Sequence, residues 1–107
     1  MTGSLFKEYE IVIREIINNG KVIFTAHAKE RMGIRGYTTH DVFHILSYGS
    51  VKNVTDKGND KCVCKIQGND IEGDEGIIII EIRKKAKMII ITAVSYTHLT
   101  LPTIYSV

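Results

Sequence analysis

Cysteine is scarce in this sequence, and its two copies lack the spacing of a zinc site. Cys62 and Cys64 are the only cysteines among 107 residues. A zinc site needs further ligands, which a Cys-x-Cys pair without a second pair does not supply. Cys62 and Cys64 lie two positions apart on a predicted strand, so both side chains point to the same face as Ile66. We therefore expect small core side chains at these positions, and neither a metal nor another cofactor.

Long apolar runs are missing as well. Charged residues interrupt the apolar ones between Met1 and Gly20, so this segment has no uninterrupted apolar region of the kind found in a secretory signal. No stretch is long and apolar enough to span a membrane. A formal net charge of +2 and a pI near 8.5 permit a nucleic-acid partner without requiring one. We expect a cytoplasmic protein with no membrane partner.

Hydrophobic periodicity predicts helices first and strands afterwards. An amphipathic helix over Leu5 to Asn18 precedes a short strand, a helix that begins after Thr25, and a third helix with a Thr38-x-x-Asp41 capping box. Four strand-like runs follow between turn-rich connections: Ser50 to Thr55, Lys61 to Gln67, Gly76 to Arg83 and Lys87 to Thr92. This order predicts a single α+β domain over residues 1–92, with N-terminal helices packed on one face of a four- to five-stranded, mainly antiparallel sheet.

Two apolar patterns predict the core of this domain. Val42, Ile45 and Leu46 form the buried stripe of the third helix. The unbroken run from Ile77 to Ile80 suggests a central strand that is covered on both faces.

One short segment concentrates residues that carry chemistry. His27, Arg31 and Arg35 recur every four residues, a spacing that stacks side chains along one face of a helix. Thr25 is a suitable N-cap for this helix, and Gly36 suits the left-handed residue that ends one. An imidazole can accept a proton, while arginines keep their charge and can grip a phosphate. The pattern favours phosphodiester chemistry or phosphate binding, although a solvated helix surface presents the same spacing.

A wider pattern surrounds this segment. The chain contains the order Phe24-Thr25-x-His27-Ala28-x-x-Arg31-Met32-x-x-Arg35-Gly36, then Asp41-Val42, Gly49, and a strand ending Ile89-Ile90-Ile91-Thr92. This order resembles a family of small bacterial proteins of unknown function, DUF4258. The family is similar in turn to the RelE and MqsR class of toxins, which are α+β ribonucleases that cleave messenger RNA and are silenced by an antitoxin encoded beside them.

The resemblance implies a RelE-like endoribonuclease toxin of a toxin-antitoxin system. Its partners would be RNA, including ribosome-bound mRNA, and a cognate antitoxin protein. His27 would be the catalytic base or acid, and Arg31 and Arg35 would hold the phosphate. The resemblance extends more weakly to Thr25 and Thr92. Such an enzyme needs no metal, because the 2′-hydroxyl of RNA is itself the nucleophile. The alternative function is a non-catalytic module that binds nucleic acid or protein.

Other polar side chains have two interpretations each. Basic residues on the predicted sheet are candidates for binding the RNA backbone, but they equally suit the task of keeping an edge and a hairpin soluble. This set comprises Lys61, Lys65, Arg83, Lys84, Lys85 and Lys87. His40 and His44 could join a metal site or line a cleft with His27, but without further ligands we expect exposed surface histidines. Tyr37 could stack on an RNA base or merely cover the turn after Gly36.

The last residues resemble a translated sequencing adapter. Residues 94–103 can be back-translated into the transposase end and adapter of a common sequencing-library kit, and the ending at Val107 fits the adapter's stop. We therefore expect residues 93–107 to be a non-native tail and the native domain to be truncated near Thr92. A real C-terminal strand is the alternative. The β propensity of Val94 and Tyr96 predicts that the tail extends the last strand for a short distance, without contributing to the active site.

Overall fold

The computed structural model describes residues 6–95, without the side chain of Ser95, and these residues form three α-helices and five β-strands. The elements are α1 (Lys7–Asn19), β1 (Lys21–Phe24), α2 (Ala26–Arg35), α3 (Thr39–Tyr48), β2 (Ser50–Gly58), β3 (Lys61–Asn69), β4 (Glu75–Arg83) and β5 (Lys87–Ser95). The predicted α+β class is confirmed. Within the described part of the chain, no helix has the length and apolar character needed to cross a membrane.

The five strands form one mixed sheet in the order β1-β5-β4-β3-β2. Strands β2 to β5 pair antiparallel with their neighbours, as the turn-rich connections predicted. β1 is the exception, because it lies parallel to β5, with Lys21 opposite Lys87 and Phe24 opposite Ile90. Among residues 6–95, the first and last strands are therefore neighbours, and β1 forms one edge of the sheet.

The helices of the described chain cover one face of this sheet. Side chains alternate between faces along a strand, and Ile78, Ile80 and Ile82 of β4 belong to the core that the helices bury. The predicted stripe of α3 is part of the same core: Val42, Ile45 and Leu46. Ile77 and Ile79 lie on the other face, where Ile77 is buried and Ile79 is half-buried. β4 is the central strand of the sheet, as the isoleucine run suggested, and among residues 6–95 the helices cover one of its two faces.

α3 begins with the predicted capping box. The Thr38 hydroxyl accepts a hydrogen bond from the Asp41 N–H (3.2 Å), and Asp41 Oδ2 accepts one from the Thr38 N–H (2.9 Å). Asp41 Oδ1 also accepts from the Ile71 N–H (3.3 Å), which ties the helix start to the β3–β4 turn. Burial raises the pKa of Asp41, but the hydrogen bonds from the Thr38 and Ile71 backbone outweigh it, and the pKa lies below its ordinary value of 3.8.

Replacing Asp41 with asparagine is expected to lower the free energy of unfolding by about 0.5–1 kcal/mol near neutral pH. Because the folded pKa is depressed, the stabilisation from the carboxylate is complete above the unfolded value of 3.8 and is lost as the pH falls through the folded pKa. Urea unfolding of the chain and the variant at about pH 7 and about pH 2.5 measures this difference. A difference of the same size at both pH values would contradict the assignment.

β5 continues beyond the predicted end of the native domain. Ala93, Val94 and Ser95 pair with Ile78, Ile77 and Gly76 of β4, and Ala93 is fully buried. This is the short extension that the β propensity of Val94 predicted. The remaining residues of the predicted tail, 96–107, lie outside the described residues, and the adapter origin of 93–107 stays a prediction.

Candidate functional site

α2 is attached to the sheet by the residue that caps it. The Thr25 hydroxyl accepts a hydrogen bond from the Ala28 N–H (3.0 Å), which confirms Thr25 as the N-cap. The same hydroxyl donates towards the carbonyl oxygens of Ile90 (2.9 Å) and Ile91 (3.2 Å), and the Thr25 N–H donates to Ile90 (3.1 Å). One threonine therefore fixes both the start of α2 and its position against β5.

β5 carries a bulge at this attachment point. Ile79 of β4 lies opposite Thr92 and Ile80 lies opposite Ile90, so Ile91 is an extra residue in β5. A bulge changes which side chains of the strand face the helices. Ala93, and not Thr92, therefore follows Ile90 on the helix-covered face. Thr92 lies opposite Ile79, on the face away from α2, and the weaker resemblance at Thr92 stays a prediction.

His27, Arg31 and Arg35, here called the α2 row, lie along one flank of α2. His27 is exposed, whereas Arg31 and Arg35 are half-buried. This gradient follows from helix geometry, because four residues advance by about 40° more than one full turn. The row therefore rotates from solvent towards the sheet, and Arg35 ends beside the buried face that carries Met32. The predicted stack is an oblique row in which the imidazole is the outermost group.

The inner end of the row contains a buried donor. Nε of Arg35 is buried and has no hydrogen-bond partner among residues 6–95. Just beyond it, Gly36 adopts the predicted left-handed conformation with φ of 75°, and the Tyr37 N–H donates to the Met32 carbonyl (2.8 Å). The Gly36 conformation and this hydrogen bond end the helix and fix the backbone next to Arg35. A buried N–H without an acceptor lowers stability, so the Arg35 side chain gains a hydrogen bond if it turns towards an anion at the helix surface.

Tyr37 has a packing role at the end of the sheet. Its ring is half-buried and packs against the core cluster, and a Cβ on Gly76 would collide with its hydroxyl. The close approach of Tyr37 requires glycine at position 76. Of the two interpretations of Tyr37, this geometry favours cover of the turn over stacking on a base.

The two other histidines of the described chain differ from each other. His40 is exposed, as expected, but His44 is partly buried, so its predicted surface exposure is wrong. His44 Nδ1 donates to the Asn69 carbonyl (2.8 Å), and the ring centroid lies 4.9 Å from that of Tyr48. His44 thus joins α3 to the end of β3. Across residues 6–95, no group of three or more His, Cys, Asp or Glu side chains is arranged to hold a metal ion.

The cysteines lie where the alternation predicted. Cys64 is fully buried and Cys62 packs against the core from a partly buried position, with 4.0 Å between the two Sγ atoms. Burial, reinforced by the neighbouring Cys62, raises the pKa of the Cys64 thiol to about 12. Burial likewise raises the pKa of Cys62. Both groups are therefore protonated thiols near neutral pH, and a buried thiol of this kind is chemically inert.

The predicted nucleic-acid-binding residues do not surround the α2 row. Most lie at one end of the sheet, in β3, β4, β5 and the turn between the last two strands: Lys61, Arg83, Lys84, Lys85 and Lys87. Lys65 lies further along β3, opposite Ile79 and therefore on the face away from the helices. Lys21 stands beside Lys87 in this group and was missed, because only the parallel pairing of β1 with β5 brings it there.

The structure thus belongs to the class of α+β domains in which N-terminal helices cover one face of a mixed sheet, with the candidate site on the helix that follows the edge strand. The family described as a domain of unknown function (DUF4258) matches residues 24–95, more than half of the chain. The chain belongs to this family. The matched range contains the whole α2 row and every element from α2 to β5. No curated protein and no solved structure matched the chain.

Proposed function

We propose that this protein is a metal-independent endoribonuclease related to the RelE and MqsR toxins, that it acts on RNA in the cytoplasm, including mRNA on the ribosome, and that an antitoxin silences it. The observation that carries this proposal is the α2 row, which begins at an exposed imidazole and ends at a buried guanidinium N–H that has no acceptor among residues 6–95. An acid-base group and two anion-binding groups are the parts that phosphodiester cleavage requires.

The chemistry follows from the order of the groups along the row. His27 takes the proton of an RNA 2′-hydroxyl, whose oxygen forms a bond to the adjacent phosphorus. The bond from phosphorus to the 5′-oxygen then breaks, and that oxygen takes a proton from water. Arg31 and Arg35 hold the non-bridging oxygens, on which negative charge builds in the transition state. The products are a 2′,3′-cyclic phosphate and a 5′-hydroxyl.

The helix itself adds to the attraction for a phosphate. Unpaired backbone N–H groups and the positive end of the helix dipole make a helix start favourable for anions. The first turn of α2 contains His27 and no acidic residue. No carboxylate on this turn therefore competes with a phosphate for the backbone N–H groups at the helix start. Thr25 holds this turn against the β5 bulge, so the backbone that carries the His27 side chain is fixed in position.

The α2 row is expected to depend on arginine geometry and not on charge alone. Replacing Arg35 with lysine keeps the charge but removes Nε and the planar fork that binds two phosphate oxygens. We expect kcat/KM for single-stranded RNA to fall about 10²-fold. The matched control is Arg14→Lys, because Arg14 lies on α1, outside the row, and its Nε donates to the Ser47 carbonyl (2.7 Å). Equal kcat/KM values for the Arg35 variant and the unaltered chain would contradict this role.

The experiment that tests the proposal is cleavage of labelled single-stranded RNA by the purified chain, with and without EDTA, and of mRNA on translating ribosomes. We expect cleavage that persists in EDTA. If the chain binds RNA but leaves it uncut both alone and on ribosomes, the ribonuclease proposal fails. A non-catalytic nucleic-acid-binding module then becomes the better description of the α2 row.

A further inference from the structure

Four strands place a basic residue at the same level of the sheet. Lys21 of β1 lies opposite Lys87 of β5, Lys87 lies opposite Arg83 of β4, and Arg83 lies opposite Lys61 of β3. These four residues are here called the cationic row. Neighbouring strands are about 4.8 Å apart, so the row spans about 14 Å. Directly opposed residues share a face, and this face is the one away from the helices, because Arg83 alternates with the buried Ile82.

Such a row opposes the stability of the sheet. Like charges directly across from each other on adjacent strands repel. Glu81 compensates for part of the charge, since its Oε2 accepts from Arg83 Nε at 2.5 Å. Lys21 and Lys61 are exposed and Lys87 is partly exposed, so their ammonium groups are available to solvent or to a ligand. Glu8, Asp56 and Asp60 line one cleft with Lys61, Lys84 and Lys85 and compensate for part of the charge there. The accessible positive charge without such neighbours lies on the side of Lys21 and Lys87.

The adjoining turn contains a second, independent cost. Lys84 and Lys85 connect β4 to β5 with φ of 54° and 56°, in the left-handed region that favours Asn and Gly. The neighbouring β2–β3 turn has the same conformation at Asn59 and Asp60, which are residues of the favoured kind. The two turns touch, because the Lys84 N–H donates to the Asp60 carbonyl (2.9 Å). In one of two adjoining turns, lysines thus occupy positions that other residues would fill with less strain.

We propose that the cationic row and the Lys84–Lys85 turn together bind the sugar-phosphate backbone of a single-stranded RNA. A line of evenly spaced cations complements the repeating charges of a polyanion. Both costs, the opposed charges and the strained lysines, are accounted for by binding such a ligand. The choice of RNA as the polyanion rests on the proposed ribonuclease function.

The cationic row lies close to the α2 row along the chain. β1 starts at Lys21 and ends one residue before Thr25, the cap of α2, so one four-residue edge strand, about 13 Å long, separates the two sites. They lie on different faces of the sheet. An RNA strand held by the cationic row therefore reaches His27 by passing over the β1 edge, which no other strand of the described residues covers.

The test measures binding separately from cleavage by using a fluorescent 2′-O-methyl RNA oligonucleotide, which keeps the backbone charge and lacks the reactive hydroxyl. For Lys21→Gln, we expect weaker binding and a slope of log affinity against log salt that is smaller by about 0.7. For the double variant Lys84→Asn with Lys85→Gly, we expect a slope smaller by about 1.4 together with a higher Tm, because the turn loses its strain. The charge-matched controls are Lys52→Gln, alone and together with Arg14→Gln, because Arg14 lies beside Ser47 and not beside the row or the turn.

Each outcome decides the proposal. Loss of binding in the row and turn variants but not in the controls supports it, even if the chain cleaves no RNA, in which case only the proposed function fails. Binding by Lys21→Gln that equals binding by Lys52→Gln overturns it, even if the chain is an active ribonuclease. Binding of a polyglutamate peptide in place of the RNA also overturns it and assigns the surface to an acidic protein partner.

Discussion

Replacing His27 with alanine is expected to slow RNA cleavage by about 10²- to 10⁴-fold, the range that removal of a general acid or base covers. The His27 side chain is exposed at the first turn of α2, so its removal leaves no cavity in the core. The free energy of unfolding should therefore change by less than about 0.5 kcal/mol. Single-turnover cleavage of a labelled RNA, together with urea unfolding of both proteins, measures the two quantities.

His40→Ala is the matched control for this variant. His40 is also an exposed histidine in the first turn of a helix, but it lies on α3 and outside the α2 row. Its replacement is expected to leave the cleavage rate unchanged. Equal rates for the His27 and His40 variants would remove His27 from the mechanism and would favour a binding role for the α2 row.

Replacing Ile80 with alanine is expected to lower the free energy of unfolding by about 2–5 kcal/mol. Ile80 is fully buried in the core between the sheet and the helices. Deleting its side chain loses the transfer free energy of the removed atoms and leaves a cavity that the packed core fills only in part. Denaturant unfolding followed by far-ultraviolet circular dichroism measures the loss.

Ile79→Ala is the control, because it removes the same atoms from a neighbouring residue whose side chain points to the opposite face of the sheet. Ile79 is half-buried on the face away from the helices, so its truncation is expected to cost clearly less than that of Ile80. A larger loss for Ile79 than for Ile80 would contradict the register that sets the two faces of β4.

Local sequence patterns predicted the ends of the helices because the interactions involved are local. Thr25 accepts from an N–H three residues later, and Thr38 and Asp41 bond each other across the same separation. Gly36 takes the left-handed conformation that the end of α2 requires. Residues this close in sequence determine each other's geometry with little help from the rest of the fold. The α2 row was readable for the same reason, since it depends only on helical spacing.

What the sequence did not reveal depends on contacts between distant segments. The parallel pairing of β1 with β5 joins residues at opposite ends of the described chain, and it alone brings Lys21 beside Lys87. The bulge at Ile91 likewise has no local signature, yet it puts Ala93 on the buried face and moves Thr92 away from α2. Strand register is set by the whole sheet, so a shift of one residue reverses every later assignment of faces.

The central claim is that the α2 row cleaves RNA through the 2′-hydroxyl of the substrate. Its most direct test is mass spectrometry of the products formed by the chain, in EDTA, from an RNA oligonucleotide and from the same oligonucleotide with a 2′-deoxy residue at the cleaved position. The mechanism predicts 2′,3′-cyclic phosphate and 5′-hydroxyl ends from the first substrate and no cleavage at the modified position of the second. Cleavage at the 2′-deoxy residue, or ends that carry a 5′-phosphate, would contradict it.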